Sequence, residues 1–204
     1  MILFLYGNDS YRLQTRVQFL KEAFQAKYDE RGHNIDELDG TQCTSDDIRR
    51  VTRSRGLFSK KRFIVMQHVW DLSKETQEML VLEWEKIDAD TILCIVAEHP
   101  PRKDHFLFER LLKSNKVERY DELTPSQLRT FIRQKVTEWN SVIDEESVNI
   151  LATSIGNNLW RLHFELKKIT AYTKNIHADD VRQFINEPLD ENIFHLTDAL
   201  SARD

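Results

Sequence analysis

The sequence predicts an α/β fold: a parallel sheet covered by helices on both faces, followed by a small all-helical domain. Three observations carry this. Short uncharged runs, such as I-L-F-L-Y, F-I-V-M and T-I-L-C-I-V-A, alternate with amphipathic helical stretches as far as Tyr120. Strands buried on both faces read as such continuous apolar runs, and their alternation with helices predicts a parallel sheet. After Leu123 only helical periodicity remains. A chain of 204 residues, 40% hydrophobic and 31% charged, has room for one large globular domain or two small ones.

The first strand is expected from Ile2 to Tyr6, ending at Gly7. Asn8 or Asp9 then caps a helix whose apolar stripe is Leu13, Val17, Leu20 and Phe24. A strand followed at once by a helix is where a phosphate-binding loop would sit. That loop needs a glycine-rich turn, a lysine, and a Ser or Thr for magnesium. The segment G-N-D-S-Y-R-L-Q has one glycine, no lysine and too short a turn.

His33 to Leu38 reads as a weak second strand. Thr44 or Ser45 caps a short helix, with Asp46 and Asp47 at its positive end and Arg49, Arg50 and Arg53 near its negative end. The next strand runs from Arg62 to Met66. Gln67 and His68 follow it, where an active ATPase of this build would carry an acidic pair. Ser73 caps a helix expected to reach Ile87. Thr91 to Ala97 is the most strongly β-patterned run. Glu98 closes it, in a position that could mimic a catalytic acid, but no phosphate loop accompanies it. His99 and His105 flank Asp104 in H-P-P-R-K-D-H, yet no further ligand set is evident and no metal is expected. A short helix from Phe106 to Lys113 and a strand from Val117 to Tyr120 complete the first domain.

Thr124-Pro125-Ser126-Gln127 opens the second domain with a capping residue, proline at the first helical position and Gln three residues after the cap. Leu128, Phe131, Ile132, Val136 and Trp139 line one face. Asp144 caps the next helix, with Ile143 and Val148 spaced as a hydrophobic staple, and Gly156 ends it. Asn157 opens a longer helix bearing Leu159, Leu162, Leu166 and Ile169. A short helix is expected from Asp179 to Ile185. Pro188 breaks the pattern. Asn192 to Ala202 then reads as one more amphipathic helix with nothing left to pack on, as in a chain cut short.

The stretch from Ile48 to Arg62 departs from the rest. It holds seven basic residues, Arg49, Arg50, Arg53, Arg55, Lys60, Lys61 and Arg62, and no acidic one, in a chain of net charge -5. That overall charge weighs against nucleic-acid binding by a basic surface. Among these cations stand Leu57 and Phe58. They are either core residues or an exposed docking tip, and Gly56, Ser59 and the surrounding charge favour partial exposure. Elsewhere, no apolar run approaches the ~20 residues that cross a bilayer. Met1 leads straight into a strand, so no signal peptide is expected. Cys43 and Cys94 read as reduced thiols of a cytoplasmic protein.

Taken in order, L-F-L-Y-G-N-D, R-G-L-F-S-K-K-R-F-I-V, T-I-L-C-I-V-A, E-L-T-P-S-Q-L-R-T-F-I, I-G-N-N-L-W-R-L-H-F-E-L-K-K-I and N-I-F-H-L-T-D-A-L resemble the delta subunit of bacterial DNA polymerase III, a clamp-loader protein. The resemblance implies a RecA-like domain of AAA+ type over residues 1–122, a helical lid over 123–187, and the first helix of a collar domain over 188–204. It implies a non-catalytic subunit without cofactor, although the family is filed with the DNA-directed DNA polymerase (nucleotidyltransferase) holoenzyme. The implied partners are the beta sliding clamp, which the subunit binds and opens, the gamma/tau and delta-prime subunits, and primed DNA through the assembled complex, with no membrane. Leu57 and Phe58 correspond to the family's clamp-binding pair, and Arg53, Arg55, Lys60 and Lys61 are candidates for electrostatic steering. Many relatives carry arginine after the G-N-x-L of the lid. This chain has Trp160, with Arg161 next, so a sensor-type contact through that position is not expected. A degenerate NTPase and a DNA-binding module are the competing readings.

Overall fold

The computed structural model describes residues 1–29, 32–53, 61–99, 101 and 105–185. It divides into two compact units, Met1–Glu122 and Leu123–Asp204. In the first unit, strands β1 (Ile2–Gly7), β2 (Ile35–Asp39), β3 (Arg62–Gln67), β4 (Thr91–Glu98) and β5 (Lys116–Arg119) form one sheet in the order β2-β3-β4-β1-β5. Every neighbouring pair is parallel, and Phe4 lies opposite both Ile95 and Val117. The expected α/β architecture is therefore present.

Helices α1 (Ser10–Tyr28), α2 (Ser45–Arg53), α3 (Lys74–Trp84) and α4 (Phe106–Leu111) cover the sheet. Alternation along the strands decides which face each meets. Leu3, Leu5, Val65, Cys94 and Val96 point to one side and pack with Leu13, Val17 and Phe24 of α1. Phe4, Tyr6, Ile64, Met66, Leu93 and Ile95 point to the other. They pack with Ile48 and Val51 of α2, Leu80 and Val81 of α3, and Leu107 and Leu111 of α4. Both faces being sealed, each core side chain removes apolar area from water worth ~1.5–3 kcal/mol. The thiol of Cys94 is fully buried in this layer, and burial pushes its pKa up to about 12.

Several boundaries differ from the sequence expectation. β2 begins at Ile35, not His33, because the Asp29 carboxylate takes the N–H groups of His33 and Asn34 at 3.1 and 2.6 Å. Those groups are then unavailable to a sheet partner. A 3-10 turn, Val69–Asp71, follows β3, entered through His68 in a left-handed conformation. The α3 helix stops at Trp84 rather than Ile87. The Lys86 and Ile87 N–H groups bond the carbonyls of Glu83 and Trp84 in tighter turns.

The second unit holds α5 (Pro125–Glu138), α6 (Glu145–Ile155), α7 (Leu159–Tyr172) and α8 (Ala178–Phe184). Its core is Leu128, Ile132, Val136, Val148, Leu151, Leu162, Leu166, Ile169 and Val181. The expected capping box is present: Thr124 Oγ1 accepts from the Gln127 N–H, and Gln127 Oε1 accepts from the Thr124 N–H. Asp144 caps α6 through the Ser147 N–H at 2.8 Å. Two expectations need correction. The unit is not wholly helical: β6 (Val142–Ile143) and β7 (Asn175–Ile176) pair in parallel. The Val142 and Asp144 N–H groups donate to Lys174 and Ile176 carbonyls, satisfying peptide groups between helices. Helix α7 is capped by Asn158 rather than Asn157, whose side chain donates instead to the Leu123 carbonyl at 2.9 Å. The helix expected from Asn192 to Ala202 lies outside the described residues.

Candidate docking surface

Two loops of the first unit could carry function: the β1–α1 turn and the α2–β3 connection. The β1–α1 turn is closed upon itself. Gly7 has φ +144°, and a Cβ there would lie 2.1 Å from the Tyr120 carbonyl oxygen. The Asp9 N–H donates to that same carbonyl at 3.0 Å. The Asp9 carboxylate, itself buried, accepts from the Arg12 N–H at 2.9 Å and from the Arg12 guanidinium. That guanidinium also donates to the Asp121 carbonyl. The positive end of α1 thus already faces a carboxylate, and an incoming phosphate would meet negative charge there.

Beside this turn, Glu98 accepts from the Gln14 amide at 2.9 Å, and the His99 ring lies 3.3 Å from Asn8 Oδ1. The His105 ring stacks edge-on against Trp70 at 5.1 Å. Asp104 lies outside the described residues. Among the described residues, no group of three or more His, Cys, Asp or Glu side chains could hold a metal ion.

The α2–β3 connection, residues 54–60, contains Leu57 and Phe58 together with Arg55 and Lys60. These four residues lie outside the described residues. Both of its anchoring ends are described. At the first end, Thr44 forms a reciprocal cap with Asp47 at the start of α2, and Ile48 and Val51 fix the helix to the core. Arg53, the last residue of α2, extends across to α3. Its Nε and Nη2 donate to Glu83 Oε2 and Oε1 at 2.8 and 2.6 Å. The Glu83 side chain is only 2% exposed, and Arg53's hydrogen bonds hold its carboxyl down at about 2 against the opposing effect of burial. Lys86 Nζ approaches the same carboxylate at 3.2 Å.

At the second end, Lys61 Nζ pairs with Asp90 at 2.7 Å. Arg62 is buried, and its guanidinium donates to the Asp36 carboxylate and back to the Val51 carbonyl in the last turn of α2. The Arg62 N–H donates to the Asp90 carbonyl at 3.0 Å. Both ends of the connection therefore rest on the end of α2.

The basic stretch looks different in space than in sequence. Arg49 pairs with Asp46, Arg50 with Asp47, Arg53 with Glu83, Lys61 with Asp90 and Arg62 with Asp36. Each described member of the patch has a carboxylate partner. Sequence reasoning missed Asp36, Glu83 and Asp90 as those partners. For Glu83 a signal existed: Thr76, Leu80 and Glu83 share one helical face, and both other members are buried. In the second unit, Trp160 and Arg161 occupy the first turn of α7, where the Arg161 N–H donates to the Asn158 side chain at 3.0 Å.

Comparison with known proteins places this arrangement. A clamp loader delta protein of Bacillus subtilis, YqeN, superposes with a TM-score of 0.65 at 17% identity, over 96% of this chain and 61% of that one. The Thermotoga maritima RuvB Holliday junction branch migration motor superposes with a TM-score of 0.60 at 14% identity, over 89% of this chain and 60% of that one. In sequence, the chromosomal replication initiator protein DnaA of Nautilia profundicola is 25% identical over 116 residues, 55% of this chain and 27% of that protein. The chain thus spans about three fifths of each of these solved chains. The structural likenesses show that the chain shares the fold of these proteins. The sequence profile described as DNA polymerase III, delta subunit, matches residues 3–120, more than half of the chain. The chain belongs to the DNA polymerase III delta subunit family, the clamp-loader subunits of DNA replication.

Proposed function

We propose that this chain is a non-catalytic clamp-loader subunit that binds the beta sliding clamp through Leu57 and Phe58 and favours its open form. It acts with the gamma/tau and delta-prime subunits, and meets primed DNA through the assembled complex. The observation that carries this reading is the pinned base of the α2–β3 connection, formed by Arg53–Glu83 and by Arg62 on Val51 and Asp36. An apolar pair carried on a fixed base suits a docking wedge.

The energetics fit that role. A clamp is a closed ring, and a ligand shifts the opening equilibrium only by its differential affinity for the sprung form. Burying Leu57 and Phe58 in an apolar pocket would contribute ~1.5–3 kcal/mol each before the entropy costs of association. Flanking cations speed encounter with an acidic partner more than they add affinity. Arg53 and Lys61 are partly neutralised by Glu83 and Asp90, which reduces their share of that steering. The division into a clamp-binding domain (1–122), a lid (123–187) and a collar helix (188–204) belongs to the same proposal.

The closed β1–α1 turn supports the non-catalytic part. It offers Asp9 where a phosphate loop would offer free N–H groups. The test is clamp binding by the wild type and by Leu57→Ala/Phe58→Ala, with circular dichroism to check folding. Loss of at least about tenfold, 1.4 kcal/mol, is expected for the folded double mutant. Equal binding would refute the docking role, and unfolding of the mutant would assign the pair to the core.

A further inference from the structure

We propose that the second unit carries a stacking platform for single-stranded DNA on the aromatic face shared by α5 and α7. The inference stands apart from clamp docking and uses only residues of that unit.

Exposed rings are concentrated on this face. On α7, Trp160 and Phe164 lie one turn apart and are 43% and 57% exposed. Tyr172, further along the same helix, is 62% exposed. The His163 ring lies 5.3 Å from that of Trp139, at the end of α5, and 5.5 Å from that of Phe164. Phe131 and Lys135 share the stripe of Trp139 on α5, with Lys135 Nζ 5.8 Å from the centre of the Phe131 ring. Burial, followed by the charges of Lys135 and Lys167, holds the His163 pKa below its ordinary value, so the ring is neutral at pH 7. Rings therefore run from α5 across to α7, with lysines at their margin. A contiguous exposed set of this kind marks an interaction surface.

Charge selects the partner. Helices α5 and α7 each hold three basic residues and one acidic one. The two acids, Glu138 and Glu165, pair with Lys135 and Lys168 at 2.7 and 2.5 Å. Lys174 Nζ reaches the Trp139 carbonyl at 3.4 Å, beside the same rings. Asp144, Glu145, Glu146, Asp179 and Asp180 gather instead at the starts of α6 and α8. The net charge of -5 is thus spread unevenly, and the aromatic face is locally basic.

Rings flanked by cations fit a polyanion whose bases are free to stack. Stacking on aromatic side chains is tolerant of sequence because every base has a π-face. In a duplex those faces are covered by neighbouring bases. Four residues of helix rise ~6 Å, against ~3.4 Å between bases stacked in one strand, so Trp160 and Phe164 suit bases that are splayed apart. An aliphatic protein surface would leave the lysines without counter-charge. DNA is the strand assigned because the chain belongs to a DNA-replication family.

The experiment measures fluorescence anisotropy of a labelled oligo-dT of about twenty nucleotides, titrated with this chain at several salt concentrations. Duplex DNA and oligo-rU of the same length are the comparison probes, and thermal melts check folding. Phe164→Ala and Trp160→Ala are each expected to weaken binding at least about fivefold. Lys167→Ala should weaken it less and reduce the salt slope by ~0.7. Arg49→Ala/Arg50→Ala, in the first unit, should stay within about twofold of the wild type. Duplex DNA should bind at least about tenfold more weakly than oligo-dT. If Trp160→Ala does not fold, Trp160→Phe replaces it, read by reduced quenching of tryptophan emission on binding. No binding at low salt, equal binding of the duplex, or wild-type affinity in both Phe164→Ala and Trp160→Ala would overturn the platform. Loss of binding in Arg49→Ala/Arg50→Ala alone would move the DNA contact to the first unit and overturn it too. Tighter binding of oligo-rU would overturn DNA as the ligand.

Discussion

The β1–α1 turn and the α2–β3 connection hold their chains in opposite ways. The turn after β1 is filled by its own groups. Gly7 leaves no space beside the Tyr120 carbonyl, and the Asp9 carboxylate takes the N–H and the guanidinium of Arg12. The connection between α2 and β3 is tied at its base, by Arg53 on Glu83 and Arg62 on Val51. Where such a strand–helix junction is a glycine-rich phosphate loop, it binds phosphate through free N–H groups. Here the same strand–helix junction contributes rigidity, with Asp9 held against Arg12. One scaffold can therefore seal one loop with its own groups and brace the base of another.

Breaking the seal gives the largest expected effect. Gly7→Ala sets a Cβ 2.1 Å from a backbone oxygen that cannot move without β5, at a φ of +144° that other residues avoid. A loss of ~4 kcal/mol is expected from urea unfolding of the first unit. Breaking the base should cost less. Arg62→Met removes the guanidinium's bond to the Val51 carbonyl and its ion pair with Asp36, and is expected to cost ~2–3 kcal/mol. Its clamp binding should weaken as well, whereas Gly7→Ala that remains folded should bind nearly as the wild type does. Asp9→Ala removes the α1 cap and should cost ~1 kcal/mol, read in the same unfolding assay.

The smallest effect is a pH slope. On β5, burial works against the charged form of Glu118, but Arg16, Tyr120 and Lys116 outweigh it and hold the carboxyl at about 2, below its ordinary 4.5. A pKa depressed on folding stabilises the protein above the unfolded value. That contribution is present above about pH 4.5 and is lost as pH falls towards 2. Glu83 acts in the same window through Arg53. Glu118→Gln should flatten the acid limb of stability against pH and leave the neutral region parallel to that of the wild type. An unchanged acid limb would show that Arg16 contributes nothing there.

What was legible in the sequence was local. Asp9, Ser73, Thr124 and Asp144 each announced a helix start, since a cap bonds an N–H three residues away. The apolar runs announced the strands, because a strand covered on both faces has no room for charge. The start of β2 was misread because Asp29, several residues upstream, captures the peptide groups of His33 and Asn34. The β6–β7 pair escaped because two residues show no periodicity. The basic stretch was seen but its meaning was not. Glu83 lies thirty residues from Arg53 and Asp36 twenty-six from Arg62, and only the crossing of the sheet brings them together. Leu57 and Phe58 were singled out by sequence and lie outside the described residues, so clamp binding is their test.

The buried cysteine of β4 has a practical consequence for such measurements. With a pKa near 12, Cys94 presents a thiolate fraction below about one in ten thousand at neutral pH. Cys43 is also raised, by burial and then by Asp47. Cys94 in the native chain is thus slow towards thiol reagents. A single cysteine placed on an exposed site such as Glu78 would take a fluorophore first. The molecule can carry one optical reporter without removing Cys94.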